Sequence, residues 1–462
     1  MIRFLNAYFP TRTLFLGISE ALLVAFAFVA ATVVRLGTSD ATLMLNYEQG
    51  FLKILVVASV FIICMYYFDL YDSFILGNRR EVLTRLVQVL GTVCILLALL
   101  YYAFPKLQLG RGIFLIGFVL VALFVFLWRR LFLLVNTMPR FAERALILGD
   151  GPLAKPLTEE IESRSELGVR IVGQLRGLES GSESPLSETE QFEQLSRQVQ
   201  TYRASRVIVA MGERRGRLPV EALLRLKSRG VRIQDGAEVF EAITGKVPIE
   251  SLHLSWLLFS SGFHVSKPLL IYKRVFSFLI SLICFVITAP IMALVTIAIR
   301  LDSPGPAIFE QERIGEGGKP FTLFKFRTMV DGADRDENHR PAERTDERFT
   351  RVGKVLRRTR LDELPQLINI LRGDMYFVGP RPFVPNQEQE CLEKIPYYRQ
   401  RWAVKPGATG WAQINRGYCA TIEDNKEKLA YDLFYIKNIS VGLDLLIMFQ
   451  TIKILLLSRG SR

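Results

Sequence analysis

Two positively charged side chains in the C-terminal half of the chain are spaced to bind phosphate. Lys325 and Arg327 are two positions apart in the run Phe324 to Met329, so they share one face if this segment is a β-strand. A pair of cations on one face can hold a diphosphate through charge-assisted hydrogen bonds. The same spacing is typical of a solvated strand face, and spacing alone does not separate the two interpretations.

A second cluster places two carboxylates directly after a run of arginines. Asp362 and Glu363 follow the arginine-rich segment 357–360. Taken by itself, this pattern is typical of an exposed helix stabilised by salt bridges. Further along, Arg381 lies between two prolines in Gly379-Pro-Arg-Pro. This setting suits a fixed contact with an anion, and a tight structural turn explains the prolines equally well.

The composition indicates a basic membrane protein. Of the 462 residues, 50% are hydrophobic, yet the formal net charge is +13. A basic excess suits anionic lipid headgroups, nucleotide phosphates or nucleic acid, and the membrane content favours the first two, so we expect no nucleic-acid partner. The 5 cysteines have no Cys-x-x-Cys spacing, which argues against zinc or redox chemistry and for a reducing, cytoplasmic interior.

Apolar stretches near the N-terminus are long enough to cross a bilayer, whose hydrocarbon core needs about 20 helical residues. The four stretches are Leu14 to Val34, Phe51 to Leu70, Val82 to Phe104, and Ile113 to Val135. We therefore expect a four-helix transmembrane domain over residues 1–139, without a cleaved signal peptide. Basic residues before the first stretch and after the fourth predict that both ends of this bundle face the cytoplasm.

The next segment predicts a soluble Rossmann-like domain over residues 140–265. Short apolar strands alternate with helices, which indicates a small parallel sheet. The sequence Gly149-Asp-Gly151-x-x-Ala154 follows the first strand and fits a dinucleotide-binding fingerprint. However, the next strand ends without an acidic residue, and Pro152 removes one donor from the phosphate-facing turn. A structural module is therefore favoured over a cofactor site.

A fifth apolar run, Val275 to Ile299, precedes the charged segment and contains Pro290. Because proline removes a helical hydrogen bond and clashes with the preceding turn, Ala289-Pro290 is the predicted bend point. We expect a re-entrant hairpin over about residues 271–300 that enters and leaves on the cytoplasmic side. The alternative is a kinked full span, which would place the following segment outside the cell.

Several motifs in order make the chain resemble the monotopic bacterial phosphoglycosyl transferases. After the proline-bent hairpin these motifs are Lys325-Phe-Arg-Thr-Met, Leu361-Asp-Glu-Leu-Pro-Gln, Gly379-Pro-Arg-Pro and Lys405-Pro-Gly-Ala-Thr-Gly-Trp-Ala-Gln. The hairpin has Ala289-Pro290 where some members have Ser-Pro. The whole chain resembles the long form of the family, with four N-terminal spans and a Rossmann-like middle domain. Residues 250–260 also resemble an exopolysaccharide- and exosortase-associated subgroup.

The resemblance implies both a fold and a reaction. The fold is a membrane α-helical bundle, an α/β Rossmann-like domain and a mixed α/β monotopic catalytic domain over residues 266–462. The implied enzyme transfers a sugar-1-phosphate from a nucleotide sugar, expected to be a UDP-sugar, to polyprenyl phosphate, expected to be undecaprenyl phosphate, and releases a nucleoside monophosphate. This is the first membrane step of exopolysaccharide or glycoconjugate synthesis, at the cytoplasmic face of the inner membrane. The expected partners are these two substrates, the lipid bilayer and a second copy in a homodimer.

The resemblance also assigns roles to residues of both charged clusters. It makes Asp362 the nucleophile that carries a covalent phosphosugar, with Glu363 as the second member of the dyad. The expected phosphate ligands are Lys325, Arg327, Arg357 and Arg381. Attack on an anionic diphosphate requires charge neutralisation, so we expect Mg²⁺ bound through Asp362. Glu363 would either help to bind the metal or accept a proton from the lipid phosphate.

Two other classes of function account for parts of the sequence. Asp334-Arg-Asp336 could hold a metal and a nucleotide diphosphate in a metal-dependent glycosyltransferase of another fold, although its charged surroundings favour a solvated loop. That enzyme would release a nucleoside diphosphate instead of a monophosphate. A nonenzymatic membrane scaffold or nucleotide-sugar sensor would use the middle domain, and it leaves the cluster around Asp362 unexplained.

Overall fold

The computed structural model describes residues 2–4, 7–72, 75, 79–137, 142–164, 167–175, 188–212, 218–251, 266–333, 347–416 and 421–456. Contacts divide the chain into two compact units, one made of Met1–Ile2 and Tyr8–Val239 and the other of Arg3–Ala7 and Phe240–Arg462. Asp334-Arg-Asp336 and residues 252–260 of the subgroup-specific segment lie outside the described residues. The domain boundaries drawn from the sequence stay predictions.

Apolar helices dominate the N-terminal part of the chain. Two short strands, β1 and β2, precede five helices, and their bounds are β1 Ile2–Phe4, β2 Ala7–Phe9, α1 Thr11–Leu36, α2 Thr38–Tyr47, α3 Gly50–Tyr67, α4 Arg79–Ala103 and α5 Arg111–Thr137. The four apolar stretches predicted from the sequence fall on α1, α3, α4 and α5. Close packing of α1 against α5 requires a glycine, because a Cβ at Gly117 would lie 2.6 Å from the ring of Phe28.

Among the described residues, five helices are long and apolar enough to cross a membrane: α1, α3, α4, α5 and Lys267–Asp302. Large apolar side chains such as Leu22, Leu99 and Leu115 are exposed on the N-terminal helices, as lipid-facing residues would be. The expected membrane character of the protein is thus confirmed.

One buried ion pair crosses the N-terminal bundle. The Arg129 Nε lies 2.6 Å from Glu20 Oε1, and both side chains are almost completely buried. A second guanidinium nitrogen of Arg129 donates to the carbonyl of Leu70 at 2.5 Å. A charged group within an apolar bundle is costly unless it is paired, so these contacts hold α1, α5 and the turn after α3 together.

A four-stranded parallel sheet follows the bundle and confirms the predicted α/β layer. Its strands β3 to β6 are ordered β4-β3-β5-β6, with every neighbouring pair parallel. The elements of this layer are β3 Glu143–Leu148, α6 Ala154–Ser163, β4 Val169–Leu175, α7 Glu188–Tyr202, β5 Arg206–Val209, α8 Val220–Ser228, β6 Arg232–Asp235 and α9 Gly236–Thr244.

The two glycines of the dinucleotide-like fingerprint lie against the end of a neighbouring strand. Gly149 has a φ of +103°, which favours glycine, and Gln174 Nε2 donates to its carbonyl at 2.9 Å. A Cβ at Gly151 would overlap the backbone of Gly212. Close packing beyond the ends of β3 and β5 thus accounts for both glycines.

The second unit contains one long helix, two small sheets and a group of shorter helices. Its elements after α9 are α10 Lys267–Asp302, β7 Ile308–Ile314, β8 Pro320–Phe326, α11 Arg351–Thr359, α12 Gln366–Arg372, β9 Tyr376–Val378, α13 Pro385–Lys394, β10 Gly407–Thr409, α14 Trp411–Asn415, α15 Ile422–Lys437 and α16 Val441–Leu456. The strands β7 and β8 form an antiparallel hairpin, and β9 and β10 pair in parallel. Turns of 3₁₀ helix lie at Ile249–Ser251, Glu316–Gly318, Leu361–Glu363 and Tyr398–Ala403.

Helix α10 contacts this unit at both of its ends. Near its start, Lys273 Nζ lies 2.8 Å from Asp444 Oδ2, and both side chains are buried. Near its end, Ile299 packs in one apolar cluster with Phe326. The helix continues for 36 residues through Ala289-Pro290, so the re-entrant hairpin stays a proposal.

Candidate active site

The Asp-Glu pair is held beside strand β8 by one buried asparagine. Asn369 of α12 is fully buried, and its Oδ1 accepts a hydrogen bond from the backbone N–H of Phe324 at 3.0 Å. Its Nδ2 donates to the carbonyl of Thr322 at 2.7 Å. The amide satisfies two backbone groups of the strand, and it therefore fixes α12 relative to Lys325.

The chain reaches Asp362 through a sharp turn at the end of α11. This helix begins at the N-cap Thr350, whose Oγ1 accepts from the backbone N–H of Gly353 at 2.9 Å. It ends at Arg360, which has a left-handed φ of 57°. The 3₁₀ turn Leu361–Glu363 follows at once, so both carboxylates leave the helix axis and lie on a short turn between α11 and α12.

Glu363 is the anchored member of the pair. Its Oε1 lies 2.8 Å from the guanidinium of Arg381 and 3.9 Å from Lys325 Nζ. Burial raises the pKa of Glu363, but attraction to Arg381 and Lys325 outweighs burial and lowers the pKa to about 2. Glu363 is therefore ionised over the whole physiological pH range.

Asp362 is the member of the pair with the higher pKa. Burial and the negative charge of Glu363 raise the pKa of Asp362 to about 6, against the opposing attraction of Lys325, Arg357 and Arg381. Two adjacent carboxylates with pKa values pushed apart are a frequent mark of a catalytic pair. At neutral pH Asp362 is therefore ionised, and the surrounding cations offset the cost of its charge only in part.

Strand register adds a cation that sequence reasoning missed. The β7 and β8 hairpin pairs Phe309 with Lys325, and Arg313 lies on the same face of β7 as Phe309, so Arg313 and Lys325 share a face. Burial, followed by repulsion from Arg381, lowers the pKa of Arg313 to about 10. Burial lowers the pKa of Lys325 to about 8. The alternation of β7 could have indicated Arg313 once the hairpin register was known.

Arg381 lies on a turn whose carbonyls accept hydrogen bonds from other segments of the chain. Four successive carbonyls of this turn accept hydrogen bonds. Two donors are backbone N–H groups: Gly407 donates to Pro380 at 2.9 Å, and Ile314 donates to Phe383 at 3.1 Å. The other two are guanidinium groups: Arg401 donates to Arg381 at 2.5 Å, and Arg313 donates to Pro382 at 3.2 Å. Because the two prolines have fixed φ and no N–H, these carbonyl contacts define the turn. Arg401 was not foreseen, since nothing in its local sequence distinguishes it from a surface arginine.

The predicted phosphate ligands separate into two groups. The structure brings Lys325 and Arg381 to Glu363, and it places Arg357 close enough for its charge to lower the pKa of Asp362. Arg357 also stacks over the ring of Phe349, with its Cζ 4.5 Å from the ring centroid. These cations and the two carboxylates form what we call the dyad cluster: Arg313, Lys325, Arg357, Asp362, Glu363 and Arg381.

Arg327 lies outside the dyad cluster. Strand β8 ends at Phe326, and the Arg327 guanidinium donates to the carbonyl of Ser303 at 2.8 Å and that of Pro304 at 2.7 Å. Its side chain is buried. Arg327 thus binds the chain that leaves α10, where carbonyls at a helix end lack partners within the helix.

The described part of the chain contains no group of three or more His, Cys, Asp or Glu residues that could hold a metal ion. Mg²⁺ does not require such a group, because it is commonly bound by one or two carboxylates together with substrate phosphates and water. Asp362 fits this donor set. Glu363 is already bound to Arg381, so Asp362 is the carboxylate of the dyad that fits a metal ion.

Comparisons with known proteins match this arrangement to one family. The bacterial sugar transferase family matches residues 269–458, and a CoA-binding domain family matches residues 66–234. The chain is 39% identical over 226 residues to UDP-N-acetylgalactosamine-undecaprenyl-phosphate N-acetylgalactosaminephosphotransferase of Aeromonas hydrophila, covering 49% of this chain and 52% of that protein. It is 35% identical over 337 residues to undecaprenyl-phosphate glucose phosphotransferase of Komagataeibacter xylinus, covering 70% and 60% respectively.

The match covers a larger share of a third relative. UDP-glucose:undecaprenyl-phosphate glucose-1-phosphate transferase of Caulobacter vibrioides is 43% identical over 189 residues, which cover 40% of this chain and 69% of that protein. The chain belongs to the bacterial sugar transferase family, as its resemblance to the phosphoglycosyl transferases predicted. The matches span 52% and 60% of the length of the first two relatives.

Proposed function

We propose that this protein is a membrane phosphoglycosyl transferase that moves a sugar-1-phosphate from a UDP-sugar to undecaprenyl phosphate. The observation that carries the proposal is the dyad cluster, in which an ionised carboxylate with a raised pKa lies beside an anchored one among four cations. The relatives described above are named for this kind of transfer. The step opens the membrane stage of exopolysaccharide or glycoconjugate synthesis.

In the proposed first half-reaction, Asp362 attacks the phosphorus atom that carries the sugar. A bond forms between an Asp362 oxygen and phosphorus, the bridging oxygen–phosphorus bond of the diphosphate breaks, and UMP leaves with the bond electrons. Lys325, Arg313 and Arg381 provide positive charge for the diphosphate, and Arg357 provides it for the attacking carboxylate. At a pH above its pKa, Asp362 is already ionised, so its attack requires no proton transfer.

In the second half-reaction, an oxygen of the lipid phosphate attacks the same phosphorus atom. The bond from Asp362 to phosphorus breaks, which restores the carboxylate and leaves the lipid diphosphate sugar. A group with a pKa of about 2 is a weak proton acceptor near neutral pH. We therefore assign Glu363 the role of holding Arg381 and Lys325 in place, in preference to that of a general base.

Mg²⁺ fits the site through Asp362 and the substrate phosphates. When bound, it would neutralise charge on the diphosphate and the departing monophosphate. The residues of the protein then have the tasks of binding, orienting and attacking that are described above.

We further propose that α10 enters and leaves the cytoplasmic face of the inner membrane without crossing it. Two observations support this topology: both ends of α10 contact the same compact unit, and exposed apolar side chains such as Ile283, Ile287 and Leu294 line the stretch between them. A straight helix of 36 residues would be about 54 Å long. A bend at Ala289-Pro290 allows both ends to stay at one surface. A homodimer stays a prediction.

Product analysis of the full chain in membranes tests the proposed function. Incubation with a panel of UDP-sugars, undecaprenyl phosphate and Mg²⁺ should release UMP and form a lipid diphosphate sugar. Asp362→Asn should abolish release, because it removes the nucleophile and nearly preserves its shape. Release of UDP would identify a glycosyltransferase, and normal turnover by a folded Asp362→Asn protein would exclude Asp362 as the nucleophile.

A further inference from the structure

Arg401 is a buried arginine that the reaction described above does not use. Its side chain is 5% exposed, and its Nε lies 2.8 Å from Asp432 Oδ2. One terminal nitrogen donates to the hydroxyl of Tyr398 at 2.9 Å, and the other donates to the carbonyl of Arg381 at 2.5 Å. A guanidinium has a rigid, planar set of donors, so these three bonds fix its orientation.

The contacts of Arg401 lead directly to the dyad cluster. Besides the bond to the Arg381 carbonyl, its Cζ lies 4.2 Å from the centroid of the Phe383 ring, so Arg401 holds the turn at two points. The side chain of Arg381 leaves this turn and reaches Glu363 at 2.8 Å. The buried ion pair with Asp432 thus sets the position of Arg401, and Arg401 defines the position of the Arg381 backbone.

We propose that Arg401 is a positioning residue of the active site, which acts by fixing the backbone of Arg381 so that its guanidinium meets Glu363 and the substrate phosphate. The inference rests on the proposed function, because it concerns the binding of that substrate. A misplacement of about 1 Å at a catalytic group costs on the order of 100-fold in rate. Arg401 does not itself touch the substrate.

Arg401→Lys tests the link to Arg381. Lysine keeps a positive charge for Asp432, but its single nitrogen cannot reproduce the planar set of donors that also reaches Tyr398 and Arg381. Tyr398→Phe is the matched control, because it removes one neutral hydroxyl group from the same buried cluster and leaves the contacts of Arg401 with Asp432 and Arg381 in place. Both variants are compared with the wild type in membranes, using thermal melting to confirm folding and UMP release to obtain kcat and KM for the UDP-sugar.

A double-mutant cycle separates positioning from general destabilisation. We expect Arg401→Lys to lower kcat/KM by about 10- to 100-fold in the wild type and by less than about 3-fold in an Arg381→Lys background, since its effect passes through Arg381. Tyr398→Phe should change kcat/KM by less than about 3-fold in both backgrounds while lowering the melting temperature. Equal losses for Arg401→Lys in the two backgrounds would overturn the inference.

Two further outcomes have defined meanings. If Arg401→Lys does not fold, Asp432→Asn replaces it, because this change loosens Arg401 without removing it, and the same dependence on Arg381 is expected. Wild-type protein that releases no UMP from any UDP-sugar would refute the proposed function itself. If the wild type is active but the effects of Arg401→Lys and Arg381→Lys are additive, only the role of Arg401 is refuted.

Discussion

Arg381 and Glu363 form a 2.8 Å ion pair directly beside Asp362, and the two neighbouring carboxylates differ widely in pKa, at about 2 for Glu363 and about 6 for Asp362. Two cations, Arg381 and Lys325, act on both carboxylates, but in different proportion. Attraction to Arg381 and Lys325 outweighs burial at Glu363, whereas burial and the Glu363 charge prevail at Asp362. The site thus holds Glu363 as a fixed counter-ion, which suits the nucleophilic role proposed for Asp362.

The rate of transfer should depend on pH with a bell-shaped profile. Asp362 must be ionised to attack, so kcat/KM should fall as the pH drops below about 6, where its carboxyl group becomes protonated. Lys325 must be charged to bind the diphosphate, so kcat/KM should also fall as the pH rises above about 8. Initial rates of UMP release between pH 5 and 9.5 check both limbs. A rate that stays constant down to pH 4.5 would contradict the raised pKa of Asp362.

Neutralising each member of the dyad should change stability in opposite directions. The folded-state pKa of Asp362 lies above its usual 3.8, so its ionisation disfavours the folded state increasingly as the pH rises from about 3.8 to 6, and fully above that. At pH 7.5, Asp362→Asn should therefore raise the free energy of unfolding by about 1–3 kcal/mol. The gain should shrink as the pH is lowered through 5.

Glu363→Gln is the matched variant for this experiment. The folded-state pKa of Glu363 lies below its usual 4.5, so its ionisation stabilises the folded state above about pH 4.5 and this contribution is lost as the pH falls toward 2. Removing the charge leaves Arg381 and Lys325 without their shared partner and should lower the melting temperature at pH 7.5. Melting curves in detergent show whether the two variants shift in opposite directions, and equal shifts would refute the assigned pKa difference.

Sequence patterns within short segments were sufficient to predict the membrane helices, the parallel sheet and two residues of the dyad cluster. The apolar stretches are visible because a bilayer requires about 20 consecutive apolar residues in a helix. The short strands around Gly149 alternate with helices, and the parallel sheet follows from that alternation. Asp362 and Arg381 lie in motifs that resemble those of a known family, so no tertiary information was needed to choose them.

Residues whose role depends on tertiary register could not be assigned in this way. Lys325 and Arg327 are equivalent in a sequence pattern, yet β8 ends between them, and the end of α10 binds Arg327. Arg313 reaches the dyad cluster only through the hairpin register. Arg401 contacts Arg381 across 20 residues of sequence, and no periodicity predicts that contact.

A segment before α10 should be required for a stable catalytic unit. Glu241 lies 2.8 Å from Lys437, Trp411 Nε1 donates to the carbonyl of Gly245 at 2.9 Å, and Val247 N–H donates to a carbonyl of α15 at 3.0 Å. The Glu241 and Lys437 side chains are largely buried, so a chain that lacks Glu241 loses a buried ion pair. A chain starting at residue 240 should therefore melt at a higher temperature than one starting at 266.

Single substitutions provide the control for that comparison. In the full chain, Glu241→Gln should lower the melting temperature by several degrees, whereas Glu238→Gln, on the same helix but outside these contacts, should leave it within about one degree. Equal melting temperatures for the chains starting at 240 and 266 would show that this segment contributes nothing to the catalytic unit.

The membrane arrangement proposed for α10 rests on a conflict between the length of the helix and its contacts. A helix of 36 residues is long enough to cross a bilayer, yet its two ends contact the same compact unit. Crossing would place the first and last turns on opposite sides of the membrane, and the unit that binds both ends would be divided. A return at Ala289-Pro290 removes this conflict.

Cysteine labelling in a background without the native cysteines should therefore place both ends of α10 on the cytoplasmic side. Lys267→Cys and Glu316→Cys, both at exposed positions, should react with an impermeant thiol reagent only in inverted vesicles. Lys106→Cys, in the exposed turn between α4 and α5, is the control and should react only from the outside. Pro290→Leu removes the cause of the proposed bend, so it should move part of the Glu316→Cys population to the outer surface and lower UMP release in proportion. If Glu316→Cys reacts from outside while Pro290 is intact, α10 crosses the membrane, and a cytoplasmic active site is excluded.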